Sequence, residues 1–131
     1  MSEQVDRLKV KVLLVDDFST MRRIIRGCLT EVGFKDANIS EADDGVTALA
    51  HLENNHVDFV VTDWNMVHMH GIDLLRHMKK TDAFKDIPVL MVTAEAKKEQ
   101  IIEAAKSGVS QYIVKPFNSK TLNIKVAKIF G

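Results

Sequence analysis

The sequence predicts a doubly wound α/β domain, in which five helices cover both faces of a five-stranded parallel sheet. Short runs rich in Val, Ile and Leu are typical of strands that are buried on both faces. Amphipathic segments of helical period separate these runs, so strand and helix alternate along the chain. Right-handed crossovers between parallel strands then place helices on both faces of the sheet. The length of 131 residues is that of one domain with one core.

The predicted strands are short. Four apolar runs are predicted as central strands, and in chain order they are residues 10–15, 59–61, 89–92 and 112–114. A fifth segment, residues 38–42, is more polar and is predicted to form an edge strand. This difference in polarity matches the difference in burial between the middle and the edge of a parallel sheet.

Helical patterns fill the intervals, and the first of them is the clearest. Its apolar residues recur at intervals of three and four and predict one buried stripe: Met21, Ile24, Ile25, Cys28, Leu29 and Val32. Ser19 or Thr20 is predicted to cap the start of this helix, and Gly33 to end it. The other predicted helices are residues 45–53, 71–80, 97–107 and 119–130.

Composition and charge exclude several classes of protein. Lys and Arg together number 18, as do Asp and Glu, so a net charge of zero argues against a general nucleic-acid or membrane-surface binder. The single cysteine, Cys28, cannot form an intramolecular disulfide, which fits a reducing compartment. The chain carries no apolar run near the roughly 20 residues that cross a bilayer, and no signal-like start. We therefore expect a cytoplasmic protein, with residues 1–8 as a tail and 9–131 as the domain.

Polar residues follow the apolar runs at the point where each predicted strand ends. Asp16 and Asp17 follow the first run, Asp63 the second, Thr93 the third and Lys115 the fourth. Because the carboxyl ends of parallel strands share one edge of the sheet, ligands bind in the crevice beside them. Each residue alone is more often a turn, a cap or a solvated side chain, but the set predicts a functional site.

The chemistry of this set points to a cation and a phosphoryl group. Three aspartates close together repel one another, and a divalent cation relieves that repulsion. Carboxylate oxygens suit Mg²⁺ or Mn²⁺ rather than zinc. A cation flanked by a lysine and a threonine can receive a phosphoryl group, and a central carboxylate can act as its nucleophile and form an acyl phosphate.

The segments around these residues resemble a response-regulator receiver domain, and more narrowly the single-domain regulators of chemotaxis. The similar segments are residues 15–23, 62–66, 92–98 and 112–117, and the similarity extends over most of the chain. The resemblance implies a flavodoxin-like sheet with strand order 2-1-3-4-5. It also implies a signalling protein rather than an enzyme, with at most self-catalysed phosphotransfer and dephosphorylation.

The resemblance assigns roles to the polar residues. Asp63 would accept a phosphoryl group from the phosphohistidine of a histidine kinase, while Lys115 and Thr93 would contact its oxygens. The implied ligands of Mg²⁺, for which Mn²⁺ can substitute, are Asp16, Asp17, Asp63 and the backbone carbonyl of Asn65. Asn65 and Glu95 occupy the positions that tune phosphoryl lifetime in this family, although both could simply be polar loop residues. The Lys115–Pro116 bond would be cis.

The resemblance also implies a switch and a surface that binds partners. Thr93 would move toward the phosphoryl group and the ring of Tyr112 would turn inward behind it. The implied partner face comprises Lys98, Ile101, Ala105, Tyr112, Phe117 and Lys125. Residues 97–131 contain seven lysines and two glutamates, a net charge of +5 that suits acidic partner segments, although a solvated lysine face would look the same. The resemblance implies a monomer with three partners: a chemotaxis histidine kinase, the flagellar motor switch protein and a phosphatase. Binding to the motor switch protein would control flagellar rotation.

The loop after Asp63 departs from the family pattern. Val67 stands where the family has proline, and His70 stands where it has an acidic residue before Gly71. The loss of proline frees the backbone of a loop beside the metal site. His68 and His70 could bind a transition metal or confer pH sensitivity, or they could be two solvated histidines. Trp64 is expected to be partly exposed.

Other functions remain open at this point. A paralogue that acts as a phosphate sink or signals to a non-motor partner would have the same site. A phosphatase of the haloacid dehalogenase type needs Asp-x-Asp, whereas Asp16 and Asp17 are adjacent and no sizeable cap segment is present. A flavodoxin needs a phosphate-binding loop after its first strand, where this acidic pair would repel the phosphate.

Overall fold

A computed structural model describes residues 5–66, 68–95 and 97–130. Its sheet has five parallel strands in the order β2-β1-β3-β4-β5, which confirms the predicted doubly wound architecture and strand order. The strands are β1 Val12–Val15, β2 Ile39–Ala42, β3 Phe59–Asp63, β4 Val89–Thr93 and β5 Gln111–Val114. Each lies within the predicted segment or within two residues of it.

Five α-helices connect these strands. They are α1 Ser19–Glu31, α2 Gly45–Asn54, α3 Gly71–Lys79, α4 Lys98–Lys106 and α5 Ser119–Phe130. Single turns of 3-10 helix span Arg7–Lys9 and Asp36–Asn38. None of the helices in the described ranges has the length and hydropathy that crossing a bilayer requires.

The core forms two layers, one on each face of the sheet. Every residue of β1, β3 and β4 is buried, which explains why their sequences are continuous apolar runs. Residues of α2, α3 and α4 pack on one face, and residues of α1 and α5 pack on the other. Phe59 anchors the second layer, with its ring 5.8 Å from that of Phe34 and 5.1 Å from that of Phe130.

The helices differ in how deeply they are anchored. Helix α3 buries five residues, whereas α4 buries only Ala104. Helix α4 lies between β4 and β5 in the chain, so the α-helix with the fewest buried residues is the one that follows Thr93, the last residue of β4.

Two details of α1 differ from the sequence prediction. Phe18, not Ser19 or Thr20, is the N-cap, because the Phe18 carbonyl accepts the first helical hydrogen bond from the Arg22 N–H at 3.1 Å. Ile24 is 52% exposed, because the helix turns Ile25 and Leu29 toward the sheet and leaves Ile24 at the side. The predicted end of the helix is confirmed by Gly33, whose φ of 106° is one that glycine adopts readily.

Cys28 packs against the α1–α5 layer of the core as predicted, although it is half-buried rather than fully enclosed. The turn Arg7–Lys9 also contacts the domain, since the Arg7 guanidinium donates to the Val32 carbonyl at 2.8 Å and to Asn123. The predicted boundary between a tail and the domain at residue 9 stays a prediction.

Candidate metal and phosphoryl site

Three carboxylates meet at the carboxyl edge of the sheet. Asp16 and Asp17 follow β1, and Asp63 is the last residue of β3. Because β1 and β3 are adjacent, with Val15 paired to Thr62, the residues that follow both strands emerge side by side. One oxygen from each carboxylate lies within 4.8 Å of the others. Asp16 is 1% exposed and Asp63 8%, whereas Asp17 is exposed.

Lys115 brings a positive charge to this cluster. Its Nζ lies 3.0 Å from Asp63 Oδ1 and 3.6 Å from Asp16 Oδ2. The Lys115 backbone N–H donates to the Thr93 carbonyl at 2.8 Å, which fixes the end of β5 against the end of β4. The Lys115–Pro116 bond is cis, as predicted. The structure thus brings together the three aspartates and the lysine that the sequence predicted.

The cluster carries more negative charge than its lysine neutralises. Burial raises the pKa of Asp63, and the nearby charge of Asp16 raises it further. The hydrogen bond and charge of Lys115 lower the pKa of Asp63, but they do not outweigh burial, and it stays above its ordinary value. A cation placed among these oxygens would therefore find a favourable field.

Asp16 offers such a cation a free oxygen. Its Oδ1 accepts a hydrogen bond from the Phe18 N–H at 2.9 Å. Its Oδ2 is buried and has no hydrogen-bond partner among the described residues. Its charged neighbour, Lys115 Nζ at 3.6 Å, is beyond hydrogen-bonding distance, and a buried carboxylate oxygen without a hydrogen bond is costly, so this atom is a good ligand for a hard cation. The donor set fits a divalent ion bound through oxygen.

The backbone of Asp63 is held in place by close packing. A Cβ added to Gly71 would lie 2.1 Å from the Asp63 carbonyl oxygen, so only glycine leaves room there. The same carbonyl accepts a hydrogen bond from the Thr62 hydroxyl at 3.1 Å. The Trp64 N–H donates to the Val92 carbonyl at 2.8 Å, and the Gly71 N–H donates to the Trp64 carbonyl at 2.9 Å. The carboxylate of Asp63 therefore projects from a rigid base.

Thr93 lies at the edge of the site but its hydroxyl is engaged elsewhere. Its Oγ1 donates to the Glu95 carbonyl at 2.8 Å, and the side chain is buried. Thr93 shares a small cavity with Tyr112, and that cavity is also lined by Trp64 and Gln100. The Gln100 Oε1 is buried there without a hydrogen-bond partner in the described residues. Sequence reasoning did not single out Gln100, because no pattern distinguishes it from an exposed helical glutamine.

Residues 12–127 match the sequence family described as response regulator receiver domain. The chain belongs to this family. Receiver domains of this kind are phosphoacceptor signalling proteins, and the acidic cluster of Asp16, Asp17 and Asp63 is typical of the metal site of the family.

Curated relatives of this receiver domain are chemotaxis proteins. It is 56% identical to chemotaxis protein CheY-3 of Vibrio cholerae over 128 residues, which cover 98% of this chain and 97% of the relative. It is 58% identical to chemotaxis protein CheY of Pseudomonas aeruginosa over 121 residues, 92% of this chain and 96% of the relative. The receiver domain is thus a homologue of CheY over nearly its full length.

Solved structures agree with the fold. Chemotaxis protein CheY4 of Vibrio cholerae superposes with a TM-score of 0.82 at 31% identity, covering 92% of this chain and 98% of that one. The receiver domain of the Francisella response regulator 1452 superposes with a TM-score of 0.81 at 33% identity, covering 93% and 97%. These likenesses support the flavodoxin-like arrangement of the receiver domain.

Trp64, next to the predicted phosphoacceptor, is buried and not partly exposed as the sequence suggested. It is 8% exposed and packs in the core layer formed with α2, α3 and α4. It also lines the small cavity next to Ile101 and Ala104 of α4. A large ring in a loop can turn back under a neighbouring helix, and sequence periodicity does not report this.

The residues of the predicted partner face do not all lie on one surface. The Lys125 Nζ lies 4.9 Å from the centroid of the Tyr112 ring, and Ile101 lines the cavity beside that ring. Lys98 and Ala105 are exposed on α4. Phe117, in contrast, packs in the core layer of α1 and α5, on the other face of the sheet from the layer in which Tyr112 packs.

The two loop histidines are both exposed, and they are not part of a metal-binding group. Across residues 5–66, 68–95 and 97–130, the one group of three or more candidate ligands is that of Asp16, Asp17 and Asp63. His70 is the N-cap of α3 and makes no side-chain capping bond. His68 instead lies with its Nδ1 2.8 Å from Asp44 Oδ2, a contact that the sequence did not predict. Val67 lies outside the described residues.

Proposed function

We propose that this receiver domain is a phosphorylation-dependent switch of chemotaxis, with Asp63 as its phosphoacceptor. The observation that carries the proposal is the placement of Lys115 Nζ 3.0 Å from Asp63 Oδ1, inside a cluster of three carboxylates at the carboxyl edge of the sheet. The similarity to CheY of Pseudomonas aeruginosa and CheY-3 of Vibrio cholerae supports a role in chemotaxis.

Mg²⁺ is the proposed cofactor, and Mn²⁺ can substitute. The proposed ligands are the carboxylates of Asp16, Asp17 and Asp63 together with the backbone carbonyl of Asn65. The Oδ2 of Asp16, which accepts no hydrogen bond from the described residues, and the all-oxygen donor set support this assignment. When bound, the cation would offset the negative charge of the incoming phosphoryl group.

In the transfer step, one carboxylate oxygen of Asp63 attacks the phosphorus of a phosphohistidine. The new O–P bond forms as the P–N bond breaks, and the leaving histidine keeps the electron pair and takes up a proton. The ammonium of Lys115, already beside Asp63, pairs with the phosphoryl oxygens. The hydroxyl of Thr93 can donate to them only after it leaves the Glu95 carbonyl, so phosphorylation competes with that bond.

That competition is the proposed origin of the switch. Thr93 shares its cavity with Tyr112, so a shift of Thr93 changes the space that the Tyr112 ring can occupy. Asn65 and Glu95, both exposed beside the site, are proposed to tune the lifetime of the phosphoryl group. The proposed partner face is that of Lys98, Ile101, Ala105, Tyr112 and Lys125, without Phe117, which packs in the opposite core layer.

The proposed partners follow from the CheY homology. They are a chemotaxis histidine kinase as phosphoryl donor, the flagellar motor switch protein as target and a phosphatase, with the chain acting as a cytoplasmic monomer. The net charge of +5 over residues 97–131 supports a target segment that is acidic.

Tryptophan fluorescence tests the phosphoacceptor. Trp64, the only tryptophan, is the residue next to Asp63, so its emission should change when Mg²⁺ and then beryllofluoride, a phosphoryl mimic, are added. Asp63→Asn should abolish the response to beryllofluoride. Asp73→Asn, an exposed carboxylate on α3, should leave it intact. A beryllofluoride response that survives in Asp63→Asn would exclude Asp63 as the acceptor.

A second candidate function is that of a paralogue that acts as a phosphate sink or signals to a non-motor partner. The replacement of the family's proline and acidic residue by Val67 and His70 favours it, since both residues belong to the sequence segment between Asp63 and Gly71 that departs from the family pattern. The N-terminal peptide of the motor switch protein separates the two candidates. Tighter binding of this peptide in beryllofluoride supports the motor target, and equally weak binding with and without it supports the paralogue.

A further inference from the structure

The loop after β3 is fastened to the start of α2 at two successive residues. His68 Nδ1 lies 2.8 Å from Asp44 Oδ2. The side chain of Met69 covers Gly45 so closely that a Cβ added there would lie 2.6 Å from Met69 Cγ. The loop and the helix therefore fit together through a side-chain hydrogen bond and a contact that requires glycine.

The Asp44 side of this contact is rigid. Asp44 is the N-cap of α2, and its Oδ1 accepts a hydrogen bond from the Thr47 N–H at 2.8 Å. The Thr47 hydroxyl completes a capping box by accepting from the Asp44 N–H at 3.2 Å. The Thr47 N–H holds the pKa of Asp44 below its ordinary value, and His68 contributes to this despite the cost of burial. Asp44 is thus a fixed, ionised acceptor.

The His68 side is held in an unusual conformation. His68 has φ of 65°, in the left-handed region, and it is the only residue besides glycine with positive φ in the described part of the chain. Such a conformation persists where contacts determine it, and the bond to Asp44 is the contact that the imidazole makes. The neutral imidazole with its proton on Nδ1 and the imidazolium can both donate to Asp44, so the bond does not depend on one protonation state.

The contact lies beside the acidic cluster. The loop of Asp44 leaves β2 and the loop of His68 leaves β3, and these two strands flank β1, which leads into Asp16. A bond between the two loops therefore spans the end of β1. Asn65 belongs to the same loop as His68, and Met66 between them is buried in the core.

We propose that His68 is a positioning residue for the metal site. Its bond to Asp44 holds the β3–α3 loop, and with it the backbone of Asn65, in the conformation that receives a divalent cation beside Asp63. This role rests on the proposed function. It explains why the β3–α3 loop bonds to the start of α2 through His68.

The test measures Mg²⁺ affinity directly, by Trp64 fluorescence and by titration calorimetry, without any phosphoryl transfer. His68→Gly removes the imidazole while glycine keeps the positive φ at no steric cost. Asp44→Ser keeps a good N-cap for α2 but is too short to reach His68. Each variant should weaken Mg²⁺ binding about two- to fivefold, the range for the loss of one partly exposed polar contact. The double variant should lose no more than either single one, because both changes remove the same bond.

His70→Ala is the matched control, since His70 is an exposed histidine of the same loop that makes no side-chain capping bond. Its Mg²⁺ affinity should equal that of the parent. Equal Mg²⁺ affinity in His68→Gly and in the parent would overturn the positioning role, even if His68→Gly had a lower unfolding midpoint. A parent that binds no Mg²⁺ at all would overturn the proposed function and this role together.

Discussion

Gly71 is the residue on which the position of Asp63 most directly depends. A Cβ there would meet the Asp63 carbonyl oxygen at 2.1 Å and the Met91 sulfur at 2.9 Å. We expect Gly71→Ala to lower the free energy of unfolding by about 1–3 kcal/mol, the usual cost of overpacking, and to weaken Mg²⁺ binding because Asp63 must move. Urea unfolding and Mg²⁺ titration of the same variant measure both effects.

Gly27 provides the opposite case. It lies exposed in the middle of α1, and a Cβ there would meet nothing within 4 Å. Gly27→Ala should raise the free energy of unfolding by about 0.8–1 kcal/mol through helix propensity alone, with no change in Mg²⁺ affinity. A Gly71→Ala protein that gained stability as Gly27→Ala does would contradict the packing argument for Gly71.

At the scale of single residues, the sequence predicts which polar residues follow strands, but it does not predict the contacts that loop residues make. Asp16, Asp17, Asp63 and Lys115 were predictable because an apolar run ends at each of them and parallel strands end at one edge. The burial of Trp64 and the partner of His68 were not, because both depend on how a loop folds back onto a distant helix. Neither hydrophobic period nor turn chemistry encodes such contacts.

At the scale of elements, α1 is joined to the edge strand β2 by a charged network. Glu41 of β2 lies 2.7 Å from Arg22 Nε and 2.9 Å from Arg26 Nε. Burial opposes the ionisation of Glu41, but the hydrogen bonds from Arg22 and Arg26 outweigh it and hold the pKa of Glu41 below its ordinary value. The network therefore stabilises the fold as long as Glu41 is ionised.

Glu41→Gln should accordingly lower the free energy of unfolding at neutral pH by about 0.5–1 kcal/mol. Because the folded pKa is depressed, this stabilisation is complete above the unfolded pKa and is lost as pH falls through the folded value. The difference between parent and variant should thus shrink on acidification, which urea unfolding at several pH values would show. Glu53→Gln, an exposed glutamate of α2, should make no difference at any pH.

The elements themselves were largely predictable, and their ends were less so. The central strands were found because burial on both faces leaves no polar residue inside the run. The start of α1 was misplaced because its N-cap, Phe18, makes no side-chain bond, while the Asp16 carboxylate receives the Phe18 N–H instead. The start of α1 therefore has a hydrogen bond from Phe18 to Asp16, and it lacks the Ser, Thr, Asp or Asn cap that sequence patterns indicate.

At the scale of the whole molecule, the buried carboxylate of Asp63 lowers the free energy of unfolding when no cation is bound. Burial raises the pKa of Asp63, so its ionisation is less favourable in the folded state than in the unfolded chain. Asp63→Asn should raise the free energy of unfolding at neutral pH, by on the order of 1 kcal/mol, in the absence of divalent cations. Since the folded pKa is raised, the gain is largest above it and disappears as pH falls through that value toward the ordinary pKa.

Thermal unfolding of the two proteins in a chelating buffer measures this gain, and a second series in excess Mg²⁺ provides the control. Bound cation stabilises the parent by mass action and should reduce or reverse the advantage of the variant. An Asp63→Asn protein that is less stable than the parent without Mg²⁺ would contradict the conclusion that ionised, buried Asp63 lowers the free energy of unfolding.

The unequal anchoring of the helices has a consequence for amide hydrogen exchange. All five residues of β3 and of β4 are buried, so their amide protons should exchange with deuterium only when the whole domain unfolds. Helix α4, with Ala104 as its one buried residue, should exchange through local opening at rates well above those of α3. Beryllofluoride should then slow exchange in α4 more than in the strands or in the other helices. The helix that follows Thr93 in the chain would thus report occupancy of the site as a change in amide protection.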